Sequence, residues 1–290
     1  MNYIWALKLK LSNKLREDIE NYLISMNASI TSLDAENKTN SMRPELYNTS
    51  AFFIKKPKNY IIKYLLINFK IKKKDIILKK LKIKNIYTNN THPLKPINIG
   101  RFTFLESKSL AKFVSHKNII IPAGLGFGTG HHASTKGIIY ILNKIYLRKN
   151  INYKNIIDVG CGSGILGITM AKLWKKPVEL IDIDKQSINT SNTNAKLNLV
   201  NSFIKVKKGN GLNITNKLNY DIIVMNILAN IILKNIKLID KKLNKNGRVI
   251  ISGILKYQKF MILNKLRGVG LILELEYSIN SWVTLLIKKK

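Results

Sequence analysis

Residues 155–184, N-I-I-D-V-G-C-G-S-G-I-L-G-I-T-M-A-K-L-W-K-K-P-V-E-L-I-D-I-D, leave a chain few choices of fold. A short apolar run (Ile156, Ile157, Val159) meets a turn carrying Gly160, Gly162, Gly164 and Gly167, then an apolar helix, then a second strand ending in acid. Strand, glycine turn and helix in that order are half of a parallel βαβ unit. Such a turn lets a ligand approach the backbone where a Cβ would block it, which makes Gly160 and Gly162 candidate cofactor contacts. A carboxylate about 20 residues beyond the turn, Asp182 or Asp184, suits a pair of ribose hydroxyls.

The turn does not name its ligand. Gly162, Gly164 and Gly167 fit the dinucleotide pattern G-x-G-x-x-G, so NAD is one candidate. Asp158 shifts the balance, because an anion facing the turn repels a pyrophosphate and tolerates a cationic ligand. S-adenosylmethionine, with its amino group and sulfonium, is favoured on that ground. A glycine turn with no ligand is the remaining possibility.

At 290 residues the chain has room for one large or two moderate domains, and 46% hydrophobic with 23% charged residues excludes a disordered polymer. Fifty Lys and Arg against 16 Asp and Glu give a net charge of +34. That charge points to a ribosome or RNA contact through a basic surface, or to a lysine-rich composition without a role; the even spread of lysines favours the second. The one cysteine, Cys161, permits neither an intrachain disulfide nor a Cys-based zinc site. The start of the chain has no unbroken apolar core of the signal-peptide kind, and no apolar run has transmembrane length. These features lead us to expect a cytoplasmic protein without a membrane partner.

Along the chain, strands are expected at 3–11, 28–33, 50–54 and 78–87, with helices at 13–26 (capped by Ser12 or Asn13) and 57–69 and a polar, turn-rich stretch at 34–48. That order is the split βαβ of ferredoxin-like α+β domains. Residues 88–96, rich in Asn and Pro, suggest a linker, so the expected organisation is a small domain at 1–89, a linker at 90–116 and a larger domain at 117–290. The glycine-dense stretch 122–137, P-A-G-L-G-F-G-T-G-H-H-A-S-T-K-G, reads as a loop closing over a ligand, or as a purely structural one. Ser134 or Thr135 then caps a helix at 136–147. A metal role for His131 and His132 is disfavoured, since adjacent histidines point apart. Beyond the central unit, helices at 186–197, 231–243 and 255–266 alternate with strands at 203–206, 221–225 and 248–252. Strands at 271–277 and 282–287 close the chain, giving a doubly wound α/β sheet whose last strand runs antiparallel. Gly160, Gly162, Asp182 and Asn226 then all fall at carboxyl ends of strands, where such sheets bind ligands.

Together, D-V-G-C-G-S-G-I-L-G, I-D-I-D, V-M-N-I-L-A-N and G-L-G-F-G-T-G-H-H-A-S-T resemble the ribosomal-protein methyltransferases of the PrmA type. Those enzymes methylate amino groups of large-subunit ribosomal protein number eleven. The chain keeps Phe127, Gly128, Thr129, Gly130, His132 and Thr135 of the family's glycine-loop pattern, with His131 and Ala133 where Thr and Pro are usual. The resemblance implies a class I methyltransferase fold and S-adenosylmethionine contacts at Thr135, Gly160, Asp182 and Asn226, the last beside the transferable methyl. It also implies that the N-terminal domain recognises the ribosomal protein. Asn226 has a reason of its own, since a polar side chain and free carbonyl at a strand end can hold an amine by its N–H groups. No residue stands out as a catalytic base. The alternatives are a methyltransferase acting on nucleic-acid bases, a non-catalytic ribosome- or RNA-binding protein, and an NAD-dependent oxidoreductase.

Overall fold

Alternation of apolar and polar residues from Tyr3 onward buries one edge of a strand after another, and in a computed structural model of the chain it does so as β1 (Tyr3–Ser12). The structure describes residues 3–26, 28–34, 46–53, 55–82, 95–107, 115, 117–122, 130–148, 153–215 and 219–290. The chain divides into two compact units, Met1–Pro93 and Leu94–Lys290.

In the first unit β1 is followed by α1 (Asn13–Ser25), β2 (Ser29–Asp34), β3 (Leu46–Phe53), α2 (Asn59–Asn68) and β4 (Ile76–Lys82). The sheet order is β2-β3-β1-β4 with every neighbouring pair antiparallel, the arrangement of a ferredoxin-like domain. Ile19 and Leu23 of α1 and Ile61 and Leu65 of α2 pack with Leu7, Leu9, Leu11, Ala51 and Phe53. Each such side chain contributes about 1.5–3 kcal/mol when buried, so this single layer holds the helices on the sheet. β3 starts at Leu46 and not at residue 50. Its ladder with β1 runs from Trp5 opposite Phe53 to Ser12 opposite Leu46, and backbone pairing carries it through the polar Asn48 and Thr49. Ser12 is the cap residue of α1, although its hydroxyl makes no capping bond. Residues 83–87 of the expected fourth strand, 35–45 of the polar stretch and 88–94 of the expected linker lie outside the described residues.

The second unit opens with β5 (Ile97–Ile99), β6 (Phe102–Leu105) and β7 (Asn118–Ile120), with β5–β6 antiparallel and β6–β7 parallel. Residues 97–105 were expected within the linker at 90–116 and instead form a hairpin turned at Gly100 (φ 59°). Ile99, Phe102 and Phe104 are buried in this unit's core, so it begins well before residue 117. The alternation I-N-I-G-R-F-T-F-L outweighs the nearby Asn and Pro punctuation.

The remainder is α3 (Ala133–Leu147), β8 (Ile156–Val159), α4 (Ile165–Trp174), β9 (Val178–Asp182), α5 (Lys185–Leu197), β10 (Ile204–Lys208), β11 (Tyr220–Asn226), α6 (Ala229–Lys242), β12 (Leu243–Leu255), α7 (Lys259–Arg267), β13 (Leu271–Ile279) and β14 (Trp282–Lys289). The sheet order is β10-β9-β8-β11-β12-β14-β13, and β14 runs antiparallel to both its neighbours. Strand residues alternate between two cores. Ile156, Leu180, Val224 and Ile250 pack towards α3 and α4. Ile157, Ile181, Met225 and Ile251 pack towards α6 and α7. Sheets covered on both faces bind ligands beyond the carboxyl ends of the strands, where the order switches, here between β8 and β11.

Two local expectations are corrected. β12 is longer than 248–252 and runs through Gly253 (φ 78°), with its register against β14 shifting between Ile251 and Ile254. The helix expected at 255–266 is split into a 3-10 turn (Lys256–Gln258) and α7, because the Gln258 side-chain oxygen accepts from the Leu255 N–H at 2.9 Å and tightens the first turn.

Candidate active site

The glycine turn sits at the switch point. Gly160, Gly162 and Gly164 have φ of 73°, 53° and 80°, the left-handed region that side-chain-bearing residues avoid. Gly160 is also held by packing: a Cβ there would lie 2.5 Å from Cγ2 of Ile227. Its N–H donates to the Ile181 carbonyl at 2.8 Å, which ties the turn to the end of β9.

Asp182 ends β9 and meets the turn directly. One carboxylate oxygen accepts from the Gly162 N–H at 2.9 Å and the other from the Asp184 N–H at 3.0 Å. Asp184 is committed elsewhere, since its carboxylate accepts from the Ser187 N–H at 2.9 Å and caps α5. Of the two sequence candidates, Asp182 is the carboxylate bonded to the glycine turn. Ile183, immediately beyond it, is 67% exposed, an apolar side chain at the lip of the site.

Asn226 ends β11, and its Nδ2 donates to Oγ1 of Thr135 at 3.2 Å. Thr135 lies fully buried in the first turn of α3, so it is neither a loop residue nor the helix cap. The cap is His132, whose Nδ1 accepts from the Ser134 N–H at 3.3 Å and lies 2.7 Å from the Ser134 hydroxyl. Burial, with Lys136 adding to it, lowers the His132 pKa to about 4, so the ring is neutral at physiological pH. Its edge meets Trp282 with centroids 4.6 Å apart. The other histidine, His131, has Nε2 3.0 Å from the Lys95 carbonyl. Of the glycine loop, Gly130 is described and sits against Ile165 and Phe104, beside the start of α4. Phe127, Gly128 and Thr129, and with them the loop-closure expectation for 123–129, lie outside the described residues.

The role expected of Asp158 needs correction. Its side chain is fully buried beneath the turn and accepts from the Gly167 N–H at 2.9 Å. Desolvation pushes its pKa up to about 7, against the Gly167 hydrogen bond and with a smaller push from Asp182. Near neutral pH a large fraction of this carboxyl is protonated, so Asp158 does not present a full anion to the turn.

Sequence reasoning missed the residues of α5 that hold the turn from behind. Ser191 donates to the Gly162 carbonyl at 2.9 Å, and Asn194 donates through Nδ2 to the Ser163 carbonyl at 2.8 Å. Asn198 exchanges two bonds with Ile120 of β7, at 2.8 and 2.7 Å. All three are buried and fall at i, i+3 and i+7, a polar stripe where an amphipathic helix has an apolar one. Also unremarked was the loop after β10, whose Gly209 N–H donates to the Asp182 carbonyl at 2.8 Å. That bond brings the exposed Asn210 to the same edge.

A doubly wound sheet with one antiparallel strand, a glycine turn at its switch point, a ribose-type acid and an asparagine at the next strand end define a class I methyltransferase. The comparisons agree. The family model for ribosomal protein L11 methyltransferase (PrmA) matches residues 3–290. A ribosomal protein L11 methyltransferase from Rhodopseudomonas palustris (strain BisB5) is 33% identical over 200 residues, 68% of this chain and 67% of that protein. Another from Campylobacter concisus (strain 13826) is 39% identical over 172 residues, 59% of this chain and 58% of the relative. The crystal structure of a ribosomal protein L11 methylase from Lactobacillus delbrueckii subsp. bulgaricus is similar with a TM-score of 0.59 at 30% identity. That match covers 68% of this chain and all of the other. The chain belongs to the ribosomal protein L11 methyltransferase family.

Proposed function

We propose that this chain transfers methyl groups from S-adenosylmethionine to amino groups of ribosomal protein L11, on lysine side chains, the N-terminal amine or both. The observation that carries this reading is the Asn226–Thr135 pair. With Nδ2 donated to Thr135, the amide is oriented and its Oδ1 is left as an acceptor at the end of β11, across the switch point from Gly160. An acceptor there can take an N–H of an incoming amine and direct the nitrogen lone pair at the donor.

The residues present suit the donor. The turn at Gly160 and Gly162 gives close backbone approach, Asp182 keeps lone pairs for ribose hydroxyls, and Ile183 offers an apolar face for the base. When bound, S-adenosylmethionine supplies an electrophilic methyl on a good leaving group. The protein's task is positioning and exclusion of water, in line with the lack of any obvious base. The target amine must be neutral to attack, which for an ordinary lysine near neutral pH costs roughly 4 kcal/mol and for an N-terminal amine under about 1. Desolvation in the cleft and the donor's own positive charge lower that cost.

The first unit serves, on this reading, as the recogniser of the ribosomal protein, and the basic surface as a contact for RNA. A ribosomal-protein substrate implies work in the cytoplasm; among the described residues no helix is long and apolar enough to cross a membrane. Asn226→Ala tests the proposal. Donor affinity by calorimetry should stay within a few-fold, while the methyl-transfer rate falls on the order of 100-fold because the amine is no longer aimed. An unchanged rate removes Asn226 from the reaction.

A further inference from the structure

The first unit carries a groove that methyl transfer does not use. It is an open concavity of about 380 Å³, lined by Lys10, Lys70, Lys72 and Lys74 together with apolar residues that include Leu15 and Phe69. Lys10 comes from the end of β1, and the other three from the segment between α2 and β4. All four are exposed, and none of their ammonium groups forms an ion pair or hydrogen bond with another described residue. One carboxylate, Asp75, shares the groove. Four like charges around one concavity repel in the free protein and raise the local concentration of a polyanion. A lysine-rich composition spreads charge over a surface; it does not by itself gather four unpaired ammonium groups around one groove.

What adjoins the groove selects among polyanions. Phe69 belongs to an aromatic cluster: Tyr64 meets it with centroids 6.0 Å apart, Tyr22 lies 6.4 Å from it, and Tyr22 stacks on Tyr64 at 4.2 Å. The Tyr60 hydroxyl reaches the Met26 sulfur at 3.8 Å beside them. Tyr64 and Tyr60 are 42% and 54% exposed, an unusual outlay of ring surface on a helix. Lysines that track a backbone beside rings that accept unstacked bases are the two halves of a single-stranded nucleic-acid site. An acidic protein surface would use the lysines and leave the rings idle, and a bilayer would need a broader apolar wedge.

We infer that the lysine groove and the adjoining aromatic cluster of the first unit bind a single-stranded or looped RNA segment. Phosphates lie along Lys10, Lys70, Lys72 and Lys74, and an unpaired base stacks near Tyr64. The inference rests on the basic-surface reading and is independent of the methyl-transfer one.

The test uses the full chain without methyl donor, titrated into a fluorescently labelled unstructured RNA oligonucleotide, with anisotropy read across a salt series. Changing all four lysines to Gln should weaken binding by on the order of 10- to 100-fold at roughly 0.1 M salt. It should also flatten the log–log salt slope by about 3. Tyr64→Ala should weaken binding by about 5- to 150-fold and leave the slope unchanged. Near-wild-type circular dichroism and thermal melting of both variants establish that they fold. Wild-type affinity and slope in the lysine variant would overturn the proposal. So would capture of phosphatidylserine vesicles or an acidic protein, but not RNA, through the same lysines. An effect of the lysines without one from Tyr64 would overturn the stacking half. Because no donor is present, a failed methylation assay leaves this result readable, and the reverse holds too.

Discussion

Asp182 holds the site together at the scale of one residue. Its carboxylate takes the Gly162 and Asp184 N–H groups, and charge-assisted bonds of this kind are worth about 1.5–3 kcal/mol each. Asp182→Ala should therefore weaken S-adenosylmethionine binding by on the order of 100-fold or more, read by calorimetry; unchanged affinity would refute the ribose assignment. Asp158, by contrast, is a cost to the fold. Its pKa is raised in the folded state to about 7, mainly by burial, above the ordinary carboxylate value. A raised folded-state pKa means that stability is greatest below the unfolded pKa and declines as pH rises through about 4 to 7. Asp158→Asn should abolish that decline and leave the variant more stable than the wild type at pH 8, by up to about 4 kcal/mol. Denaturant titrations at several pH values check it, and parallel pH profiles for the two proteins would contradict it.

Among elements, α5 does the least expected work. Ser191 and Asn194 of the helix, with its C-terminal cap residue Asn198, fasten the glycine turn and β7 through three sets of bonds to backbone. Asn194→Ala removes the Asn194 donor from the buried Ser163 carbonyl, a loss of about 1–3 kcal/mol. The melting temperature should fall by about 2–4 °C for each kcal/mol lost, and added methyl donor should restore less of it than in the wild type. A variant that melts like the wild type would mean that the turn stands without α5. Strand-turn-helix punctuation was legible in the sequence because local spacing dictates it: Gly160, Gly162 and Asp182 follow from order along the chain alone. The partners of Asn194 and Thr135 were not, since they lie 31 and 91 residues away and meet only when helices pack on the sheet. The same cause hid β3's true start and the hairpin at 97–105. Asn48 and Thr49 look like loop until β1 supplies their hydrogen bonds, and Ile97–Ile99 reads as part of the Asn- and Pro-rich punctuation until β6 pairs with it.

On the scale of the molecule, the chain has two units with separate cores, a ferredoxin-like one and a doubly wound one; the proposed function assigns substrate recognition to the first and methyl transfer to the second. Burial also decides what charge alone did not. The carboxyl expected to face the ligand, Asp158, is fully buried, and Asp182 is the one that meets the Gly162 N–H of the turn. The central claim is methyl transfer to amines of ribosomal protein L11, and mass spectrometry of that protein after incubation with this chain and isotope-labelled S-adenosylmethionine tests it most directly. The account predicts labelled mass increments of whole methyl groups, mapped by fragmentation to lysine side chains or the N-terminal amine, accumulating on the order of 100-fold more slowly with Asn226→Ala. An unmodified protein in a reaction where the donor is bound, or label recovered only in added RNA, would contradict it.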